Sequence, residues 1–307
     1  MNEKLCMFAG QGAQFPGMGK DFAEDTEIAA LFKTANDALG FDITTLCFEG
    51  PAEELTKSNI CQPAIFTVSV AAFKAFQKRF PAVRFKMAAG LSLGEWSALH
   101  LAGVLDFEST LQVLEARGRF MQEACDEQAS GMVSIMGASA EQLAALCEKC
   151  GLTIANINSD TQVVLSGVKS GVAAASAAAA EMGLKAIVLN VAGAFHSPLM
   201  ASARIKLSNV LVDVEFKRPT MPVLSNVTGK FHSDKPADIK HAMLCQITDS
   251  VRWFDCVLEA KAAGVEDYIE FGPGKVLSGL LRRIDRTLQC ANVQDLASLE
   301  SCAKLLG

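Results

Sequence analysis

"FKMAAGLSLGEWSALHLAG", residues 85–103, decides how this chain folds. An apolar run from Phe85 to Ala89 stops at Gly90-Leu91-Ser92-Leu93-Gly94, a G-x-S-x-G pattern, and the helical pattern "GEWSALHLAGVL" follows. The motif alone is common, and a serine in an ordinary tight turn would also satisfy it. Its setting between a strand and a helix favours a nucleophile elbow, where the flanking glycines remove Cβ atoms that would collide. In that geometry Ser92 is the nucleophile, and the N–H of Leu93 points at the oxyanion that forms on the attacked carbonyl.

Outward from the elbow, apolar runs alternate with helical patterns. "KLCMFAG" reads as a strand with a Gly-rich turn, and "QPAIFTVSVAAFKAFQKRF" as a long apolar helix. "DFESTLQVLEARGRFMQEAC" reads as an amphipathic helix capped by Asp106. Such alternation predicts a mostly parallel sheet. Residues 130–190 differ: strand "MVSIM", helix "SAEQLAALCEKCG" with a Ser139–Gln142 capping box, strands "LTIANIN" and "QVVLSG" joined at Ser159-Asp160, Ala-rich helix "VAAASAAAAEMG" and strand "KAIVLN". That β-α-β-β-α-β order is ferredoxin-like. "DYIEFGPG" and "KVLSGLLRRI" then restore α/β character. The expected fold class is α/β: a large α/β-hydrolase-like domain with a parallel sheet core (1–128 and 192–307) and an inserted small ferredoxin-like α+β domain (129–191).

The bulk composition narrows the function. The chain has 307 residues, 50% hydrophobic, with a net charge of −6. Its mean hydropathy is +0.25. It is large enough for a substantial core. Its acidity argues against a general nucleic-acid binder. No apolar run approaches the roughly 18 residues that span a bilayer, and "MNEKLCMFAG" lacks the apolar core of a secretory signal. The ten cysteines are scattered through apolar segments, which fits a reduced, cytoplasmic chain. Cys147-x-x-Cys150 has no second pair or nearby histidine to complete a zinc site, so no metal is expected.

A serine nucleophile needs a base, and there are four histidines. His100 falls inside the helix after the elbow, packed. His232, in "GKFHSDK", reads as exposed, and His241 lies on a polar helix face beside Lys240. His196, in "VAGAFHSPLM", sits at the end of an apolar strand where the small domain returns to the large one. Clefts form at such junctions, and His196 is therefore preferred as base over a structural histidine. No Asp or Glu is near it in sequence, so its orienting partner is distant or a carbonyl. A second oxyanion donor usually comes from a Gly-rich loop, and "FAGQGAQFPGMG" (8–19) supplies the Gln11 N–H. That loop is no dinucleotide fingerprint, since Phe15 stands where the third glycine belongs, and Gly19-Lys20-Asp21 is no Walker A loop.

Arg117 and Arg119 lie two apart on one helix, yet differ. Arg117 has Val113, Leu114, Phe120 and Met121 at helical neighbour positions, all apolar; Arg119 has Glu115, Ala116, Gln122 and Glu123. Arg117 therefore projects from the buried face and needs an anion. Two partners satisfy that need: an Asp or Glu of this chain, or a substrate carboxylate held in bidentate fashion.

Together, "FAGQGAQFPGMG", "GLSLGEWSALHLAGVL", "EARGRFMQ", "ANINS", "GAFHSPLM", "LSNVTG" and "FGPGKVL", in this order across the whole chain, resemble the malonyl-CoA:acyl-carrier-protein transacylases of fatty-acid synthesis. They also resemble the acyltransferase domains of polyketide synthases. The resemblance implies Ser92 as acyl carrier, His196 as base, Arg117 holding the malonyl carboxylate, and the Gln11 and Leu93 N–H groups as oxyanion hole. It implies that the backbone carbonyl of Gln246, in "HAMLCQITDSVRW", orients the histidine. Asn156, Asn158, Met121 and Phe195 would lie at the substrate pocket, Phe195 matching the A-F-H pattern of malonyl-selective acyltransferases. One departure stands out: Leu91 precedes the serine where the family often has histidine.

The implied substrates are malonyl-CoA and the phosphopantetheine thiol of an acyl carrier protein, with no bound cofactor, nucleic acid or membrane involved. An acidic carrier needs a local basic patch on this acidic chain. Arg282, Arg283 and Arg286 offer one, though they also read as a solvated helix face. Rival readings are a trans-acting polyketide acyltransferase, a serine esterase or thioesterase, and a carrier-binding paralogue without chemistry. The esterase order would place the base late, at His232 or His241, and has no use for Arg117.

Overall fold

The computed structural model describes residues 3–306. Its strands are β1 (Glu3–Phe8), β2 (Met87–Gly90), β3 (Ser130–Met136), β4 (Thr153–Ser159), β5 (Gln162–Val168), β6 (Lys185–Val188), β7 (Val265–Phe271) and β8 (Gln289–Val293). They form two sheets. One is parallel, in the order β2-β1-β7-β8; the other is antiparallel, in the order β4-β5-β3-β6.

The parallel sheet is buried on both faces, as its apolar strands require. Along β1, Cys6 and Phe8 enter one core cluster while Leu5 and Met7 enter another. That is the period-2 alternation of a strand with two dry faces. On the first face Phe8 and Phe271 meet Phe73 of the helix Ser58–Arg79, with ring centroids 5.1–6.3 Å apart. Such pairs add roughly 0.5–1.5 kcal/mol each beyond the area they bury. The helix Ser58–Arg79 is buried over most of its length. It is crossed by the helix Phe107–Glu127 at Gly118, where a Cβ would sit 2.2 Å from the Ser58 carbonyl oxygen. Only glycine permits so close a crossing.

The antiparallel sheet and the helices Ala140–Cys150 and Lys169–Glu181 enclose a core of their own, around Val133, Leu146 and Leu165. The capping box of Ser139 and Gln142 is present, and Gly151 ends that helix in the left-handed region. The subdomain is tied to the rest through β4. Asn156 bridges Val251, the Val251 N–H donates to the Ala155 carbonyl at 2.8 Å, and the Ile157 N–H to the Val251 carbonyl at 2.9 Å.

Several boundaries differ from the sequence expectation. The helix after the elbow ends at Leu101, because Gly103 takes a φ of 75° and turns the chain. β4 runs through Ser159, so the hairpin turn is Asp160-Thr161. β6 ends at Val188, which leaves His196 in an irregular segment rather than at a strand end. The strand β8 carried no signal that the sequence reading used; "QCANV" has no clear alternation.

Candidate active site

The elbow turns between β2 and the helix Leu93–Leu101. Ser92 takes φ 54° and ψ −103°. Its neighbours must be glycines: a Cβ on Gly90 would lie 2.0 Å from the Gly94 carbonyl, and one on Gly94 2.1 Å from the Phe8 oxygen. The turn is held from outside by Asn226. Its Oδ1 accepts from the Ser92 N–H at 2.6 Å, and its Nδ2 donates to the Gly90 carbonyl at 2.8 Å. The Leu93 N–H, first in its helix, has no intrahelical acceptor.

His196 is brought to Ser92 from the far side of the chain. Its Nε2 lies 2.8 Å from Ser92 Oγ, and its Nδ1 lies 2.8 Å from the Gln246 carbonyl oxygen. A carbonyl only accepts, so Nδ1 carries the proton and Nε2 is left to accept from the serine hydroxyl. Burial, followed by the nearby Arg117 charge, pushes His196 down from 6.5 to about 4. The ring is therefore neutral at pH 7, the form a general base needs.

Arg117 is 1% exposed. Its Nη1 donates to Gln62 Oε1 at 2.7 Å, and its Nη2 to Ser92 Oγ at 3.1 Å and Gln246 Oε1 at 3.0 Å, while Nε is buried without a partner. Among the described residues no ion pair joins it to a carboxylate, which removes the direct Asp or Glu partner weighed above. Burial lowers it to about 10, opposed by the charge of Glu95. Arg119, two residues on, instead pairs with Glu115 and Glu123 on the exposed face.

These residues open on a cavity of about 810 Å³, whose walls also include Gln11, Met121, Asn156, Asn158, Phe195 and Leu91. The Gln11 side chain donates to Ser58 Oγ at 3.1 Å and accepts from Gln62 at 3.3 Å. Asn158 Oδ1 is buried with no partner. Leu91 is half-buried and packs against the second core cluster of the parallel sheet, so the wall next to Ser92 is apolar. Lys57, Lys275 and Arg283 also line it. Arg283 reaches across from the helix Val276–Ile284 to Gln162 of the antiparallel subdomain.

The other three histidines have partners other than Ser92. His100 Nδ1 bonds the Leu105 carbonyl at 3.0 Å and its ring meets Phe66 edge-on. His241 lies 3.5 Å from Cys245 Sγ. His232 corrects the sequence expectation: its side chain is 2% exposed, and Nε2 lies 2.6 Å from Glu95 Oε1 beneath the elbow. The polar setting of "GKFHSDK" hid a long-range partner. Neither late histidine serves as the base an esterase order requires. Among the described residues no group of three or more His, Cys, Asp or Glu side chains is arranged to hold a metal ion. Sequence reading also missed Gln62, Glu95 and Asn226. Each is a buried polar residue with a side-chain partner 51 or more positions away. An ionisable glutamate in the first turn of a mostly apolar helix, buried from Leu93 to Leu99, was the one signal in the sequence.

The acyl transferase domain family matches residues 6–302. The malonyl CoA-acyl carrier protein transacylase of Bacillus subtilis (strain 168) is 39% identical over 313 residues, covering 100% of this chain and 98% of the relative. That of Escherichia coli (strain K12) is 39% identical over 314 residues, covering 99% and 100%. The crystal structure of malonyl CoA-acyl carrier protein transacylase from Clostridium perfringens superposes with a TM-score of 0.94 at 36% identity, over 99% of this chain and 97% of that one. A malonyl-transacylase solved in complex with a type II polyketide acyl-carrier protein gives a TM-score of 0.94 at 38% identity, over 99% of each chain.

Proposed function

This chain belongs to the acyl transferase family, among the malonyl-CoA:acyl-carrier-protein transacylases, and on that premise we propose how its residues carry the transfer. The reaction moves a malonyl group from malonyl-CoA to an acyl carrier protein. Ser92 Oγ attacks the thioester carbonyl as His196 Nε2 takes its proton; the C–S bond breaks, and the proton passes to the CoA thiolate. The malonyl ester then meets the phosphopantetheine thiol of the carrier. His196 takes the thiol proton, sulfur attacks the ester carbonyl, and Ser92 leaves with the proton returned. The Gln11 and Leu93 N–H groups receive the oxyanion in both halves.

One observation carries the carboxylate preference: a buried, positively charged Arg117 that touches the nucleophile at 3.1 Å and is paired with no carboxylate among the described residues. An acyl group ending in a carboxylate supplies the missing anion within reach of Ser92. Phe195 and Met121 shape the acyl pocket, and the Asn158 amide oxygen awaits a donor from the pantetheine arm or the acyl group. Lys57, Lys275 and Arg283 at the cavity suit the phosphates of CoA and of the carrier's prosthetic group. We assign the product to fatty-acid synthesis, in line with the malonyl CoA-acyl carrier protein transacylases of Bacillus subtilis and Escherichia coli that match over the whole chain. Ten free cysteines accord with a cytoplasmic setting. No helix among the described residues is long and apolar enough to cross a membrane.

Intact-mass measurement after incubation with malonyl-CoA tests the reading. A single malonyl adduct is expected, absent from Ser92→Ala and discharged by a holo carrier protein. An equal adduct on Ser92→Ala, or loss of the adduct at the same rate without carrier, overturns it.

A further inference from the structure

Beneath the elbow lies a polar network that the mechanism above does not use. Glu95, three residues after the nucleophile, has a side chain 1% exposed. Its carboxylate collects three donors: the Asn226 N–H at 3.2 Å and His232 Nε2 at 2.6 Å on Oε1, and Gln246 Nε2 at 2.5 Å on Oε2.

The last of these bonds decides which way the Gln246 amide faces. Its Nε2 also donates to the Ser92 carbonyl at 2.9 Å, so two acceptors claim the NH₂ end. The Oε1 end is thereby turned to Arg117 Nη2, at 3.0 Å. A reversed amide would set an oxygen against the Glu95 carboxylate and a donor against the guanidinium. The same residue's main-chain carbonyl holds His196 Nδ1. Asn226, tied to Glu95 through its N–H, holds the elbow through its side chain. The negative charge of Glu95 also opposes the effect of burial on Arg117.

We propose that Glu95, held by His232, is a positioning residue: it fixes the Gln246 amide so that Arg117 stays aimed into the acyl pocket, and so sets the preference for carboxylate-bearing over neutral acyl donors. The proposal rests on the reading that Arg117 binds the substrate carboxylate. A pair that merely supported the fold would change stability and the active fraction, and would leave the choice of donor alone.

The test is kcat and KM for loading of malonyl-CoA and acetyl-CoA, normalised to active sites counted by acyl adduct, on the full chain. An amide at position 95 turns its NH₂ toward Gln246 to keep the Asn226 and His232 donors satisfied, and Gln246 must then turn over. In Glu95→Gln the malonyl-to-acetyl ratio of kcat/KM is expected to fall by about tenfold or more, mainly through the KM for malonyl-CoA. His232→Leu is expected to move it in the same direction by less, and His232→Gln, which keeps a donor, to restore it. A ratio unchanged per active site in Glu95→Gln overturns the proposal. If that variant does not fold, equal ratios in His232→Leu and the wild type overturn it instead. A wild type that forms no malonyl adduct on Ser92 overturns the underlying reading, which is a separate result.

Discussion

Ser92 and His196 are the two non-glycine residues with positive φ among the described residues, at 54° and 55°, and their side chains meet at 2.8 Å. Left-handed backbone at such residues is strained, costing of order 1–3 kcal/mol each, and persists where surrounding contacts over-determine it. Here Asn226 clamps one residue and the Gln246 carbonyl the other. Strain at both ends of one hydrogen bond marks it as the centre of the site.

The clamp on Ser92 depends on an amide rather than on any polar side chain. Asn226→Ala removes the acceptor for the Ser92 N–H and the donor to the Gly90 carbonyl. Asn226→Asp keeps the first and sets an oxygen against the second. Each unsatisfied buried group costs roughly 1–3 kcal/mol, so both variants should melt several degrees lower and load malonyl more slowly. Calorimetry and adduct kinetics would check this; a fully active Asn226→Asp variant counts against the clamp.

Arg117→Ala should lower kcat/KM for malonyl-CoA by about a hundredfold or more, since truncating one side of a buried charge pair costs roughly 2–5 kcal/mol. Loading from acetyl-CoA should fall far less, so the relative acetyl preference rises. Competition between the two donors, read by adduct mass, measures it; an unchanged preference would mean that the carboxylate is held elsewhere.

The pH profile follows from His196. Its folded value, about 4, lies below the ordinary 6.5, with burial the larger cause and the Arg117 charge the next. The neutral base therefore persists as pH falls through 6.5, and loading should decline only as pH nears the folded value. The same shift makes stability fall as pH drops from 6.5 toward about 4, because the unfolded chain takes up the proton first. In Arg117→Ala one cause is removed, so the acid limb for acetyl loading should move upward. An acid limb at the ordinary histidine value in the wild type would contradict this.

Gly94→Ala should not yield folded protein, or should lose upward of about 3 kcal/mol, because its Cβ would overlap the Phe8 carbonyl that β1 cannot withdraw. Gly279 is the matched control: it lies in a helix, and a Cβ there meets nothing within 4 Å. Gly279→Ala is expected to stabilise by roughly 0.5–1 kcal/mol. Denaturant titration of the two variants separates a steric requirement from a general intolerance of the substitution.

Much of the architecture was written in local pattern. The strand–turn–helix at Ser92 and the capping box at Ser139 follow from local spacing, and the β-α-β-β-α-β run from a succession of such local patterns between Ser130 and Val188. The apolar surroundings of Arg117 also showed that it is buried, from the sequence of one helix. What those surroundings left open was its partner. A burial pattern says that an ion must be compensated, not by what; the compensating groups, Gln62 and Gln246, lie 55 and 129 positions away.

His232 shows the same limit from the other side. Hydrophilic neighbours in sequence implied exposure, yet the ring is buried on Glu95, 137 positions distant. Periodicity reports which face of an element is dry. It is silent on which polar groups from separate elements meet inside, because those bonds depend on sheet order and helix crossing. The sequence by itself therefore determined the elbow, the two sheet types and the residues able to do chemistry. Tertiary structure alone decided that a glutamine, a glutamate and a histidine stand behind the arginine and the base, since a buried polar network exists only where distant donors and acceptors satisfy one another together.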